Sequence, residues 1–388
     1  MKKKIIFVTK ALWVGGIETA LVNLLNYLDY NKYDVTLLMI HAVLDMRSQI
    51  HPKCRVLIVD RDETHSFREK YQFSWLYHLT EKTDNPSRLH RALEWTVPIM
   101  KWIENRLYIR YIRKLMEDEY FDTAVIYSDV VAEMTIRAIH AEKYLMFYHH
   151  GAMRHVYHDK IAYKKCKKII AVSRNQANEL KKFAPESAEK IIVINNLINV
   201  DEICQKANQP IEEVFDKTKF NIVSVGRIMF EKGTDRIIPI CSKLVESGYR
   251  NICWWIIGEG PEMDKVSKLV DKNKMRPYIN LVGLKKNPYP YMKQADLYVQ
   301  PSRVESFGLT ILEALVLGKI IVATETFGAK EILGKEKTML CGNNIDEITE
   351  AVKNNIDFSK ATLNSNKNNK QKIKRKNKLL MIDLEKVL

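Results

Sequence analysis

Twelve short apolar runs rich in β-branched residues recur along the chain, and stretches with helical spacing of apolar positions separate them. That alternation is the signature of parallel sheets wrapped by helices. The runs of the first half are Lys4–Val8, Val35–Ile40, Val56–Val59, Thr123–Tyr127, Tyr144–Tyr148, Ile169–Val172 and Ile191–Ile194. Those of the second half are Asn221–Val225, Cys253–Ile257, Ile279–Val282, Leu297–Val299 and Ile320–Ala323. A chain of 388 residues exceeds one ordinary core, and two domains of about 190 residues fit it. Each half therefore reads as a doubly wound α/β unit, residues 1–200 and 201–378, joined through a polar stretch, 197–218, that Pro210 interrupts.

Composition narrows the partners. The net charge of +15 calls for an anionic one, and nucleic acid, anionic lipid and nucleotide diphosphates all qualify. No nucleic-acid-binding module is visible, so nucleic acid is not expected. Six cysteines, at 54, 166, 204, 241, 253 and 341, form no C-x-x-C pair and read as free thiols in a reducing compartment. No apolar run is long enough to span a membrane, and Met1-Lys2-Lys3-Lys4 leads straight into the first strand, so a cytoplasmic placement is expected, with the inner membrane face as the alternative.

Residues 61–118 break the alternation with a helical insert that carries Trp95, Trp102, Tyr108 and Tyr111 among Lys101, Arg106, Arg110, Arg113 and Lys114. Arg106, Arg110 and Arg113 share a helix face beside Trp102 and Ile109. The insert reads either as a domain helix whose cations lie over a core edge or as a lipid-surface helix. Asn364–Lys378 is nearly all Asn and Lys and reads as a solvated linker or frayed helix; Leu379–Leu388 recovers a short amphipathic pattern.

The residues with chemistry lie just after strands. In order they are Gly15-Gly16, His149-His150, Gly226-Arg227, Glu231-Lys232-Gly233, Gly258-Glu259-Gly260-Pro261, Glu305-Ser306-Phe307-Gly308-Leu309 and Glu313. In open parallel sheets that is where ligands bind. Arg227 and Lys232, five residues apart at a strand-to-helix turn, can bracket a diphosphate, the first as a fork and the second as a point charge. Glu305 and Glu313, eight apart, can accept from hydroxyls. The histidine pair reads as packing or a metal fragment, with no third ligand at metal spacing. Phe307 reads as core or as a wall of the site. Glu313 sits among Ile311, Leu312, Ala314 and Leu315, which argues against a merely solvated position.

In order and spacing, Gly226-Arg227-x4-Lys232-Gly233 and Glu305-x7-Glu313 resemble glycosyltransferase family 4, retaining nucleotide-sugar glycosyltransferases of the GT-B type. The resemblance is specific over 221–333, looser over 1–40 and 120–200, and absent over 61–118. It implies a GT-B fold, two Rossmann-like domains facing across a cleft, with a terminal helix at 379–388 whose Leu380, Leu384 and Val387 dock on the first domain. It places Gly16 at the donor diphosphate, His150 near the donor sugar and acceptor hydroxyl, and Arg227 and Lys232 on the leaving diphosphate. Glu305 then meets the sugar hydroxyls and Glu313 the ribose, with Gly258, Gly260, Ser306, Phe307, Gly308 and Leu309 around the nucleotide and Leu284 near the base. The donor implied is a UDP-sugar and the acceptor a hydroxyl of a glycan or lipid-linked glycan in cell-surface polysaccharide synthesis. Arg227 and Lys232 are two fixed cations in the place of the divalent metal of other transferases, so no metal and no other cofactor is expected. The competing readings are a non-catalytic partner subunit of transferase shape and a nucleotide-sugar epimerase of the same fold.

Overall fold

The computed structural model describes residues 1–60, 97–117, 119–149, 160–213, 215–334, 339–359 and 367–388. The first sheet is built of β1 (Lys3–Thr9), β2 (Tyr33–His41), β3 (Arg55–Asp60), β4 (Tyr120–Ile126), β5 (His140–Tyr148), β6 (Lys168–Ala171) and β7 (Ile191–Val193). Its strands are parallel in the order β3-β2-β1-β4-β5-β6-β7. The second sheet holds β8 (Phe220–Val225), β9 (Ile252–Ile257), β10 (Ile279–Gly283), β11 (Leu297–Gln300), β12 (Ile320–Thr324) and β13 (Leu340–Cys341). It is also parallel, in the order β10-β9-β8-β11-β12-β13.

Alternate side chains of one strand feed cores on opposite faces, which is why these strands read as unbroken apolar runs. In β1, Ile6 and Val8 enter one cluster and Ile5 and Phe7 the other. In β9, Trp254 and Ile256 pack on one side and Cys253, Trp255 and Ile257 on the other. All six cysteines are free, and all but Cys204 are buried.

A fifth cluster joins the halves: Ala20, Val172 and Ile198 from the first meet Phe307, Leu309 and Val316 from the second, with Ile373. Glu331 adds a polar tie, its Oε2 accepting the Arg174 N–H at 3.0 Å, in the first turn of helix Arg174–Phe183, and its Oε1 the Asn195 amide at 3.3 Å. The cleft between the sheets is thereby closed on this side.

Two expectations need correction. Over its described residues the Asn/Lys-rich stretch takes the helical one of its two readings, but not as a separate element: a single helix, Lys367–Glu385, runs across the expected boundary at 378/379. Its inner face spans both halves, with Ile373 in the junction, Asn377 donating to the Ile198 carbonyl at 2.7 Å, and Met381 and Leu384 in the first-domain core, which Leu388 joins from beyond the helix end. Leu380 and Val387 pack at the edge of that core. In the insert, helix Val97–Met116 buries Tyr108, Ile109, Ile112 and Met116 against the first sheet, so Ile109 does not lie with the outward arginines. Trp95 and the rest of 61–96 lie outside the described residues.

Candidate active site

In each sheet the strand order reverses between the first and fourth strands, and the crevice outside their carboxyl ends is the ligand position of such folds. In the second sheet the reversal falls between β8 and β11, whose ends carry Gly226-Arg227 and Gln300-Pro301-Ser302. The loop after β8 is fixed by main-chain bonds: the Gly226 N–H donates to the Ile257 carbonyl at 3.0 Å and the Ile228 N–H to the Glu259 carbonyl at 2.9 Å. Gly258 has φ +144°, and a Cβ there would stand 1.9 Å from the Gly226 oxygen. A Cβ on Gly260 would stand 2.2 Å from the Ile228 oxygen. These glycines thus let the two loops close on each other. The Gly283 carbonyl accepts from the Gly258 N–H at 2.8 Å, while Leu284 beside it is exposed.

Lys232 and Glu305 come from separate loops and meet, Nζ to Oε1, at 2.7 Å. Glu305 is 6% exposed. The same Oε1 accepts from Ser302 Oγ at 2.9 Å and Gln300 Nε2 at 3.2 Å. Arg303 ties the two loops together, its guanidinium forking onto Asp235 at 2.7 and 2.8 Å, donating to the Phe230 carbonyl at 2.8 Å and covering the Phe230 ring. Burial would raise the Asp235 carboxyl, but Arg303 outweighs it and holds the carboxyl below its ordinary value. Arg227 stays exposed at the lip.

Helix Leu309–Val316 starts at Gly308, whose φ of +85° suits glycine at this turn. Ser306 is half-buried in the loop before it, whereas Phe307 and Leu309 are side chains of the junction core. Phe307 therefore packs the domains together and presents no ring to the site. Glu313 is buried one face further along and accepts from the Tyr289 hydroxyl at 3.2 Å. Burial pushes its carboxyl up to about 7, against the opposing pull of Tyr289 and of the Lys206 charge.

From the first sheet, helix Gly16–Tyr27 begins beside this loop: a Cβ on Gly16 would meet Leu309 at 3.9 Å. The Glu18 carboxylate lies over Gly15, 2.5 Å from where a Cβ would be. Burial raises the Glu18 carboxyl, while its own N–H and the charge of Arg227, from the other domain, pull it down. His149 is buried, stacked on Phe147 and tilted against Tyr127, the packing reading for this member of the pair. His150 lies outside the described residues.

The motifs on 226–233 and 305–313 thus converge with Gly16. Sequence reasoning missed Gln300, Ser302, Asp235 and Arg303. A polar Gln-Pro-Ser closing an otherwise apolar strand was the available signal for the first two.

Two parallel α/β sheets facing across such a cleft make the GT-B fold. The crystal structure of Anabaena HepE in complex with UDP and glucose superposes with a TM-score of 0.70 at 15% identity, covering 99% of each chain. Residues 205–373 match the family model described as glycosyl transferases group 1. An uncharacterised glycosyltransferase of Methanocaldococcus jannaschii is 26% identical over 181 residues, 46% of this chain and 44% of its own length. The N-acetylgalactosamine-N,N'-diacetylbacillosaminyl-diphospho-undecaprenol 4-alpha-N-acetylgalactosaminyltransferase of Campylobacter jejuni is 28% identical over 178 residues, 46% of this chain and 47% of its own. The match spans less than half the length of these curated relatives.

Proposed function

We propose that the chain is a retaining glycosyltransferase of family 4 that moves a sugar from a UDP-sugar to a hydroxyl of a glycan or lipid-linked glycan in cell-surface polysaccharide synthesis. The observation that carries this reading is the meeting of Lys232 with Glu305 at 2.7 Å on the β8/β11 switch point, a cation and a carboxylate side by side. Arg227 and Lys232 would neutralise the charge that grows on the leaving diphosphate. Glu305 would hold the donor sugar and Glu313 the ribose. The acceptor oxygen would attack the anomeric carbon from the face the diphosphate leaves, its proton passing to a phosphate oxygen, and no metal would be needed.

Turnover of UDP-glucose, UDP-galactose, UDP-GlcNAc and UDP-GalNAc in EDTA, read as UDP release, tests it. One donor should be consumed, and Lys232→Ala and Glu305→Ala should each cut its turnover by about a hundredfold or more while melting cooperatively. Undiminished rates in both variants would remove the site, and loss of turnover in EDTA would remove the metal-free part.

The outward face of helix Val97–Met116, with Trp102 and Tyr111 exposed and Arg106 stacked 4.8 Å over Trp102, supports docking on an anionic membrane surface. Among the described residues no helix is long and apolar enough to cross a membrane. Vesicles of phosphatidylglycerol should sediment the protein at low salt and Trp102→Glu should stay in the supernatant; equal sedimentation of both would exclude this face.

A further inference from the structure

The Glu305 carboxylate receives every described hydrogen bond on one oxygen. Lys232 Nζ at 2.7 Å, Ser302 Oγ at 2.9 Å and Gln300 Nε2 at 3.2 Å all converge on Oε1, and Oε2 takes none among the described residues. Behind this point lies a fixed amide. Gln300 is 4% exposed and Ser302 fully buried. The Gln300 carbonyl oxygen accepts from the hydroxyls of Tyr298 and, at 3.1 Å, Thr310, and its nitrogen donates both to Ser302 Oγ, at 2.7 Å, and to Glu305. A carboxylate can only accept, so the nitrogen must face it; a flipped amide would keep its hydroxyl partners but set its oxygen against the Glu305 carboxylate. Ser302, with its oxygen taken up by Gln300, has one proton to give, and Glu305 Oε1 at 2.9 Å is nearer than its other acceptor, the Lys232 carbonyl at 3.5 Å.

We propose that Gln300 and Ser302 are positioning residues: a neutral clamp that keeps the Glu305 carboxylate aimed, with Oε2 open to the donor sugar, when Lys232 turns from Glu305 to the diphosphate. This rests on the reading of Lys232 and Glu305 given above. The free protein needs Lys232 beside a carboxylate that is almost wholly buried. A donor diphosphate competes for the same ammonium group. Without other donors on Oε1, binding the diphosphate would release the carboxylate at the moment it has to hold the sugar; the two neutral donors separate these tasks.

Ser302→Ala and Gln300→Glu test the clamp, the second keeping the acceptor for Tyr298 and Thr310 while replacing the donor with a repelling oxygen. UDP carries no sugar, so its affinity by calorimetry should stay within about twofold, whereas turnover of the UDP-sugar that the wild type consumes should fall by about tenfold or more. Wild-type turnover in both variants, or parallel loss of UDP affinity and turnover, would overturn the proposal. A second measurement needs no nucleotide: the melting temperatures of Lys232→Met, Ser302→Ala and the double variant. Because the two donor sets stand in for each other at Oε1, the double variant should lose more than the sum of the singles; additive losses would overturn the clamp even if the protein proved to be a transferase. If no nucleotide binds the wild type, the functional reading fails, and the melting series still decides the clamp.

Discussion

Glu313 shows how a single burial sets a pH response. Its carboxyl is held up to about 7 against an ordinary 4.5 because the helix carries it into an apolar junction, and neither Tyr289 nor Lys206 offsets that cost. The folded state therefore favours neutral Glu313. That contribution to stability is complete below pH 4.5 and is lost as pH rises towards about 7. Ribose hydroxyls are gripped better by the ionised form, so UDP affinity should rise by up to about tenfold from pH 6 to pH 8, and Glu313→Gln should flatten the profile. A flat profile in the wild type would detach Glu313 from the nucleotide. The acids themselves were legible in the sequence, since motif spacing marks Glu305 and Glu313. What they touch was not: Gln300 and Ser302 reach Glu305 only through the turn after β11, and Phe307, at a position suited to walling the site, turns its ring into the domain junction.

Elements were easier to foresee where one physical signal dominates. Unbroken apolar runs marked twelve strands, each within a few residues of its observed limits. β13 escaped because its two residues, Leu340–Cys341, leave no pattern to see. The continuity of helix Lys367–Glu385, read as a linker or frayed helix followed by a short terminal one, escaped for another reason: its inner face is Ile373, Asn377, Met381 and Leu384, about one residue per turn, and the second of these is an amide that earns its buried place by bonding Ile198 and Tyr27. The glycine loops hold the site by contact with each other. Gly260→Ala would push a methyl to 2.2 Å from the Ile228 oxygen, in a loop whose N–H is already committed to Glu259. The 226–233 loop would have to shift, so UDP affinity should fall by about tenfold or more with a lowered melting temperature; unaltered affinity would show that the loop does not bear the diphosphate.

Across the molecule, the two sheets have the same winding, and their switch points face one cleft in which Glu18 of one domain feels Arg227 of the other. The sequence announced two α/β units and motifs at strand ends. It could not announce the joint, because Phe307, Leu309, Ile373 and the Glu331 tie gain meaning only once both halves are in place. The excess of positive charge over the whole chain suits an anionic partner without naming or placing it. Titration calorimetry of UDP into the full chain and into Lys232→Ala tests the central claim most directly. The account predicts one UDP bound per chain in the wild type and affinity weaker by about tenfold or more in the variant; no binding to the wild type, or equal binding to both, would contradict it.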